Sequence, residues 1–146
     1  MAEIDRRNLS NAASFTAQSL DNPFASGSFR WVAKGTYTDG PRIGEPCVCK
    51  WFKTGAVFEN SFFDIDIRAV DTALQLVMQF NEEQLVNKIV RLNVPSVWIF
   101  QPGSGRDRVG SKVLIEPFIE NYQKFNSNTG WSDSATPCYA SSEKWS

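Results

Sequence analysis

The stretch VLIEPFIENYQKFNSNTGW, residues 113–131, changes character halfway along its length. Residues 113–118 are mostly apolar and predict a β-strand, whereas residues 121–129 carry many hydrogen-bonding groups and little to bury. The strand contains Glu116 and Pro117, and a proline removes one donor from the hydrogen-bond ladder. The chain here is therefore expected to run along a sheet edge or to leave the sheet. Where the chain leaves the sheet, backbone N–H and C=O groups outside the ladder could recognise an adenine through hydrogen bonds.

The composition limits the classes of function that the chain can have. Its 146 residues are enough for one domain with a core. The net charge is −1, with 15 basic and 16 acidic residues spread along the chain, so we expect no nucleic-acid partner. The absence of histidine excludes imidazole bases, Ser-His-Asp triads and the commonest zinc ligand. No segment resembles a secretory signal or a membrane span, and the three cysteines fit a reducing, cytoplasmic setting.

Four segments have the composition and spacing of β-strands. Residues 29–37 and 47–52 are rich in β-forming residues, and the first alternates with period two. The intervening residues 39–45 include turn-forming residues, so the two strands predict a hairpin. Residues 94–100 and 113–118 predict two further strands, separated by a loop.

One long helix follows the hairpin. Apolar residues recur there at intervals of three and four: Phe63, Ile67, Val70, Leu74, Val77 and Met78. The helix is expected to start near Asn60 and Ser61, which are good caps, and to end near Asn81. The order of elements predicts an α+β fold, an antiparallel sheet with one long helix packed on a face.

Lys50 is the first candidate for chemistry because it lies in an apolar strand, on the same face as Val48 and Phe52. A lysine there is either an edge residue whose ammonium reaches water or a clamp for a phosphate. Asp71 borders the apolar stripe of the helix, and it is either solvated or directed at Lys50.

Small residues before the first strand form a second candidate. Ser26 and Gly27 would let backbone amides approach an anion, although ordinary turn chemistry also explains them. The segment 103–106 lacks the strand-to-helix context of a phosphate-binding loop, so we interpret it as a hairpin loop.

Three segments together resemble the amino-terminal half of an alpha-kinase domain, the atypical protein serine/threonine kinase family. They are FASGSFRWVAKGTY (residues 24–37), PCVCKWF (residues 46–52) and VLIEPFIENYQKFNSNTGW (residues 113–131). The third is the most specific, since the family shows a strand, a hinge with a glutamate and then a Lys-Phe/Tyr-Asn-Ser-Asn-x-Gly sequence in this order. The resemblance covers roughly residues 24–131.

The resemblance implies an ATP site, with magnesium if ATP is bound. It makes Lys50 the lysine that binds the ATP phosphates and places Arg30 beside the phosphate-covering loop, which contains Ser26 and Gly27. It further implies these contacts: Glu116 and Phe118 at the hinge against the adenine, Ile119 lining the adenine pocket, and Lys124 and Asn128 at the mouth of the cleft.

The sequence also departs from the family pattern. An Asp-Leu/Ile-Gln-Gly motif for catalysis and magnesium, and a zinc site of two histidines and two cysteines, are not found in these 146 residues. We therefore predict a flexible lead-in at 1–22, an alpha-kinase-like lobe and hinge at 23–131, and a polar tail at 132–146 with the catalytic lobe absent. No catalytic residue and no metal ligand is assigned.

Three functional hypotheses follow. In the first, the chain is an ATP-binding lobe of a protein serine/threonine kinase that lacks phosphotransfer activity alone. In the second, it is a non-catalytic module that binds a protein. In the third, it is an enzyme completed by another chain. The second predicts an apolar patch where the missing lobe would dock, with Phe118, Tyr122, Phe125 and Trp131 as candidates or as ordinary packing residues. The expected partners are thus ATP and a protein substrate or protein partner.

Overall fold

The computed structural model describes residues 2–3, 12–59, 61–104, 108–123 and 130. In this part of the chain the elements are β1 (Ala2–Glu3), β2 (Ala12–Ser14), α1 (Ala17–Asp21), β3 (Ala25–Ser26), β4 (Arg30–Asp39), β5 (Pro46–Phe52), α2 (Asp64–Glu82), β6 (Ser96–Ile99) and β7 (Lys112–Pro117). The predicted α+β fold, an antiparallel sheet with a long helix against it, is confirmed.

The strands form one antiparallel sheet in the order β1-β6-β7-β5-β4-β2, and β3 pairs with the same long strand as β2. The predicted hairpin is β4 and β5, in which Val32 lies opposite Lys50. Its turn places Gly40 and Gly44 at φ of 83° and 84°, a backbone conformation that glycine adopts without strain. β1 at one end of the sheet approaches β2 at the other, because the sheet curls.

The concave face of the curled sheet carries the main core. Alternation directs Ala33, Cys47, Cys49 and Ile115 into this core, each with no exposed surface. Trp98 is also fully buried there and packs at 6.4 Å from the ring of Tyr37. Burying each large apolar side chain stabilises the fold by about 1.5–3 kcal/mol, so this face supplies much of the stability.

In the amino-terminal region, predicted as a flexible lead-in at 1–22, the described residues 12–21 include a short strand and a short helix. Residues 12–14 add a strand to β4, and α1 is capped by Thr16, whose Oγ1 accepts a hydrogen bond from the Ser19 amide at 3.0 Å. Ala13 and Leu20 are buried in the main core. A strand of three residues carries too little periodicity for the sequence to reveal it.

Gly35 allows β2 to lie close to β4. A Cβ atom at this position would lie 2.4 Å from the Ser14 carbonyl oxygen and 2.5 Å from the Phe15 ring. Only glycine leaves room for both groups, so this residue fixes how the amino-terminal region docks.

The long helix begins later than predicted and packs through one end. A turn over residues 61–63 precedes it, and its N-cap is Phe63, which makes no side-chain cap hydrogen bond. Phe63 is buried against Val97 and Leu114, and Ile67 joins this second cluster. No residue within α2 itself is fully buried. The predicted stripe therefore meets the sheet mainly at the amino-terminal end of the helix.

Candidate functional site

Lys50 and Glu116 face each other on the central strands of the sheet. In the ladder between β5 and β7, Lys50 lies opposite Leu114 and Val48 lies opposite Glu116. The four side chains therefore share the face that α2 partly covers. The Lys50 Nζ forms an ion pair with Glu116 Oε1, and the two side chains are 30% and 14% exposed. A partly buried ammonium is thus matched by a carboxylate and remains accessible to a ligand.

This ion pair supplies an acidic partner that sequence reasoning sought in Asp71. Glu116 was predicted at the hinge, 66 positions from Lys50 by number, and only the strand register brings the two together. Asp71 lies on the exposed side of α2. The carboxylate that the structure shows paired with Lys50 lies on β7.

The segment containing Ser26 and Gly27 forms a short hairpin with β4. Ser26 lies opposite Trp31, and the Gly27 amide donates a hydrogen bond to the Arg30 carbonyl oxygen at 3.0 Å. Both small residues are exposed, and a Cβ atom on Gly27 would meet nothing within 4 Å. The hairpin is therefore open enough for a ligand to approach its backbone.

Arg30 lies at the base of this hairpin, and its side chain is directed at α2. Its Nη2 lies 2.5 Å from Asp66 Oδ1, and the guanidinium stacks 4.9 Å from the centre of the Phe52 ring. Its predicted place beside a phosphate-covering loop stays a prediction. The side chain, however, holds the first turn of α2 to the sheet.

At the predicted hinge, the backbone groups nearest to β7 are already engaged. The Phe118 amide donates to the Pro46 carbonyl oxygen at 3.1 Å, and Asn93 Nδ2 donates to the Pro117 carbonyl oxygen at 2.8 Å. Within the described ranges, no backbone partner bonds to the amide or carbonyl of Ile119, which is 48% exposed. Within the described ranges, the backbone without such a bond thus begins just beyond the Phe118 amide.

The Phe118 ring connects the hinge to the hairpin. It lies 6.3 Å from the ring of Phe24 in an edge-to-face arrangement, and Lys34 Nζ lies 4.1 Å from its centre. Phe24 directly precedes β3. The hairpin, the hinge and the Lys50 strand therefore border one region of the sheet.

Some predicted residues lie outside the described part of the chain. These are Lys124 and Asn128 of the polar motif, and Phe125 and Trp131 of the suggested patch. Of the other patch residues, Tyr122 is 71% exposed, whereas Phe118 is half-buried by the contacts above.

The described residues contain neither a metal-binding cluster nor a membrane-spanning helix. No group of three or more histidine, cysteine, aspartate or glutamate residues there is arranged to hold a metal ion. Nor does any helix among them combine the length and hydropathy needed to span a bilayer.

A curled antiparallel sheet that carries a strand lysine, with a helix against one face, has the architecture of a kinase amino-terminal lobe. The model of the alpha-kinase family matches residues 25–145. The chain belongs to the alpha-kinase family. The match continues beyond residue 131 into the segment predicted as a polar tail. A search of curated proteins and a search of solved structures found no match.

Proposed function

We propose that this chain is an ATP-binding lobe of an alpha-type protein serine/threonine kinase, and that residues 1–146 do not transfer phosphate by themselves. The observation that carries the proposal is the ion pair between Lys50 and Glu116 next to the exit of the sheet. A strand fixes the lysine stem, so the ammonium is a positioned point charge of the kind that binds phosphates.

The surrounding residues fit the other parts of ATP. Val32 and Val48 flank Lys50 on the same face and give an apolar floor for a ring. The backbone of Ile119 would offer hydrogen-bonding groups to the adenine, and the hairpin amides near Gly27 would lie towards the phosphates. Glu116 would orient the Lys50 ammonium before ATP binds. A phosphate of bound ATP would then form a second ion pair with the same ammonium.

Phosphate transfer requires more than this lobe offers. Magnesium-ATP supplies the transferable phosphoryl group, and the reaction also needs an aspartate near the attacking hydroxyl. The sequence lacks the family motif that would supply that aspartate, and we assign no residue to magnesium. A protein remains the expected substrate or partner. The proposal includes a cytoplasmic location, favoured by the free thiols of Cys47 and Cys49.

Isothermal titration with ATP, with and without magnesium, tests the proposal. Wild type is expected to bind, and Lys50→Ala to lose about tenfold in affinity, equivalent to about 1.4 kcal/mol. Lys53→Ala is the matched control, because this lysine directly follows β5 but lies over the ring of Trp31. Equal affinity in all three proteins would contradict the role of Lys50, and phosphorylation of a test peptide by the purified chain would contradict the lack of transfer.

A second candidate is a non-catalytic module that binds another protein. The exposed apolar side chains of α2 favour it, since Ile65, Leu76 and Met78 are 78%, 62% and 61% exposed. Apolar residues concentrated on one exposed element commonly mark an interface. Absence of ATP binding by wild type and by Lys50→Ala would favour this candidate over the first.

A further inference from the structure

β4 and β5 place three cations on the face of the sheet that α2 partly covers, and their charges are balanced in different ways. Alternation along β4 and its register with β5 put Arg30, Lys34 and Lys50 on this face. Arg30 pairs with Asp66 of α2, and Lys50 pairs with Glu116 of β7. An ion pair attracts a further anion less than a single cation does, because its carboxylate repels that anion. The charges of these two cations are thus already matched.

Lys34 is the third cation, and its partner is an aromatic ring. Its Nζ lies 4.1 Å from the centre of the Phe118 ring. Within the described ranges, no carboxylate pairs with this lysine, which is exposed. A ring holds an exposed ammonium more weakly than a phosphate does, because a phosphate carries a full negative charge and accepts hydrogen bonds. An anion that reaches this face can therefore draw Lys34 away from the ring.

The position of Lys34 brings it within reach of the same ligand as Lys50. Lys34 lies opposite Val48, and Lys50 lies opposite Val32, so the two lysines are diagonal neighbours on adjacent strands. Such neighbours are about 7–8 Å apart, within reach of long side chains. The flexible four-carbon stem of a lysine lets its ammonium turn towards either neighbour. Both ammonium groups can thus contact one polyphosphate.

We propose that Lys34 is the second cation of the ATP site, an inference that rests on the proposed function. Its ammonium leaves the Phe118 ring and donates hydrogen bonds to a phosphate oxygen of ATP, next to the phosphate that Lys50 binds. Lys34 supplies the net positive charge that the pair of Lys50 and Glu116 lacks. It therefore makes the site select a nucleotide that carries phosphates over a nucleoside.

Titration of wild type and Lys34 variants with ATP and with adenosine tests the proposal. Lys34→Met keeps an apolar stem and removes the charge, so it should lose about tenfold in ATP affinity and less than about twofold in adenosine affinity. Lys34→Arg keeps the charge and should bind ATP within about threefold of wild type. Lys53→Met is the matched control and should bind ATP as wild type does. Lys53 also lies over a ring, 4.3 Å from the centre of Trp31, which alternation directs to the other face of the sheet.

The possible outcomes distinguish failure of this inference from failure of the proposed function. If Lys50→Ala weakens ATP binding but Lys34→Met binds ATP as wild type does, the role of Lys34 is wrong and the proposed function stands. Equal losses of ATP and adenosine affinity in Lys34→Met would also overturn the role, because Lys34 would then act only through Phe118. No binding of ATP to wild type would overturn the proposed function and the role of Lys34 with it.

Discussion

The Lys50 ammonium pairs with the Glu116 carboxylate across the two central strands, β5 and β7. Both side chains lie on the face that also carries Leu114 and the contact with α2. A residue predicted to bind phosphates is thus held by a residue predicted to mark the hinge. A nucleotide phosphate that binds here would interact with the same ammonium that pairs with Glu116. The residue proposed to bind the ligand therefore also contributes to the stability of the fold.

The pair should contribute to stability more than a surface ion pair does. Glu116→Gln leaves the partly buried ammonium of Lys50 without a carboxylate, and we expect a loss of about 1–3 kcal/mol in the free energy of unfolding. Glu45→Gln is the control, because Glu45 pairs with Arg42 at the surface, where the two side chains are 53% and 40% exposed. Its loss in the free energy of unfolding should be no more than about 1 kcal/mol. Urea unfolding measures both, and equal losses would argue against a buried pair.

Gly35→Ala should disturb the docking of the amino-terminal region. The added methyl group would overlap the Ser14 carbonyl and the Phe15 ring, so we expect a loss of about 1–3 kcal/mol in the free energy of unfolding. Gly27→Ala is the matched control, because its methyl group meets nothing within 4 Å, and its effect should stay within about 0.5 kcal/mol. A neutral Gly35→Ala would mean that β2 does not lie against β4.

The buried thiols should make the protein sensitive to alkaline pH. Burial raises the pKa of Cys47 from 9.0 to about 12 and raises the pKa of Cys49 as well. The folded state keeps both thiols neutral, whereas the unfolded chain ionises them above its own pKa. Their contribution to stability is therefore complete below about pH 9 and is lost as pH rises towards the folded pKa, by about 1.4 kcal/mol per pH unit for each thiol.

Unfolding measured between pH 8 and pH 11 (about the range in which thiols ionise) tests this. Cys47→Ala lowers stability at every pH because it leaves a cavity, but its stability should fall less steeply with pH than that of wild type. The same slope in both proteins would show that Cys47 ionises as readily in the folded state as in the unfolded one.

The far end of α2 should open more readily than the strands. Phe63, Ile67 and the pair between Arg30 and Asp66 hold its first turns, and no residue of the helix is fully buried. Hydrogen exchange should be faster for the amides of residues 72–82 than for those of β5. Arg30→Gln should speed exchange across the first turns, whereas Arg42→Gln, which breaks an exposed pair, should not. Uniform protection along the helix would contradict this account.

The sequence predicts those features that depend on local periodicity. Alternation correctly placed Lys50 on the face of Val48 and Phe52. The helical period correctly predicted α2, which ends one residue past the expected Asn81. The sequence did not predict the pairing of Lys50 with Glu116, because β7 joins β5 only after the chain has passed through α2 and β6. Long-range register depends on the packing of the whole sheet, which no local pattern records.

Other features escaped prediction because their elements are short or their contacts are indirect. β1 and β2 have two and three residues, too few for alternation to be visible. The periodic stripe of α2 correctly indicated an amphipathic helix, yet periodicity cannot tell how much of the stripe meets the sheet. The domain boundaries, the ATP contacts, Lys124 and Asn128 stay predictions.

The central claim is that Lys50, the hairpin and the hinge bind one ATP molecule together. An NMR titration of the ¹⁵N-labelled chain with magnesium-ATP tests it most directly. We expect saturable shifts in the amides of Gly27, Lys50 and Ile119, and none of comparable size in Ser111 or Lys112, which lie at the opposite end of β7 from the hinge. Shifts centred on Ser111 and Lys112, or no saturable shift at Lys50, would contradict the account.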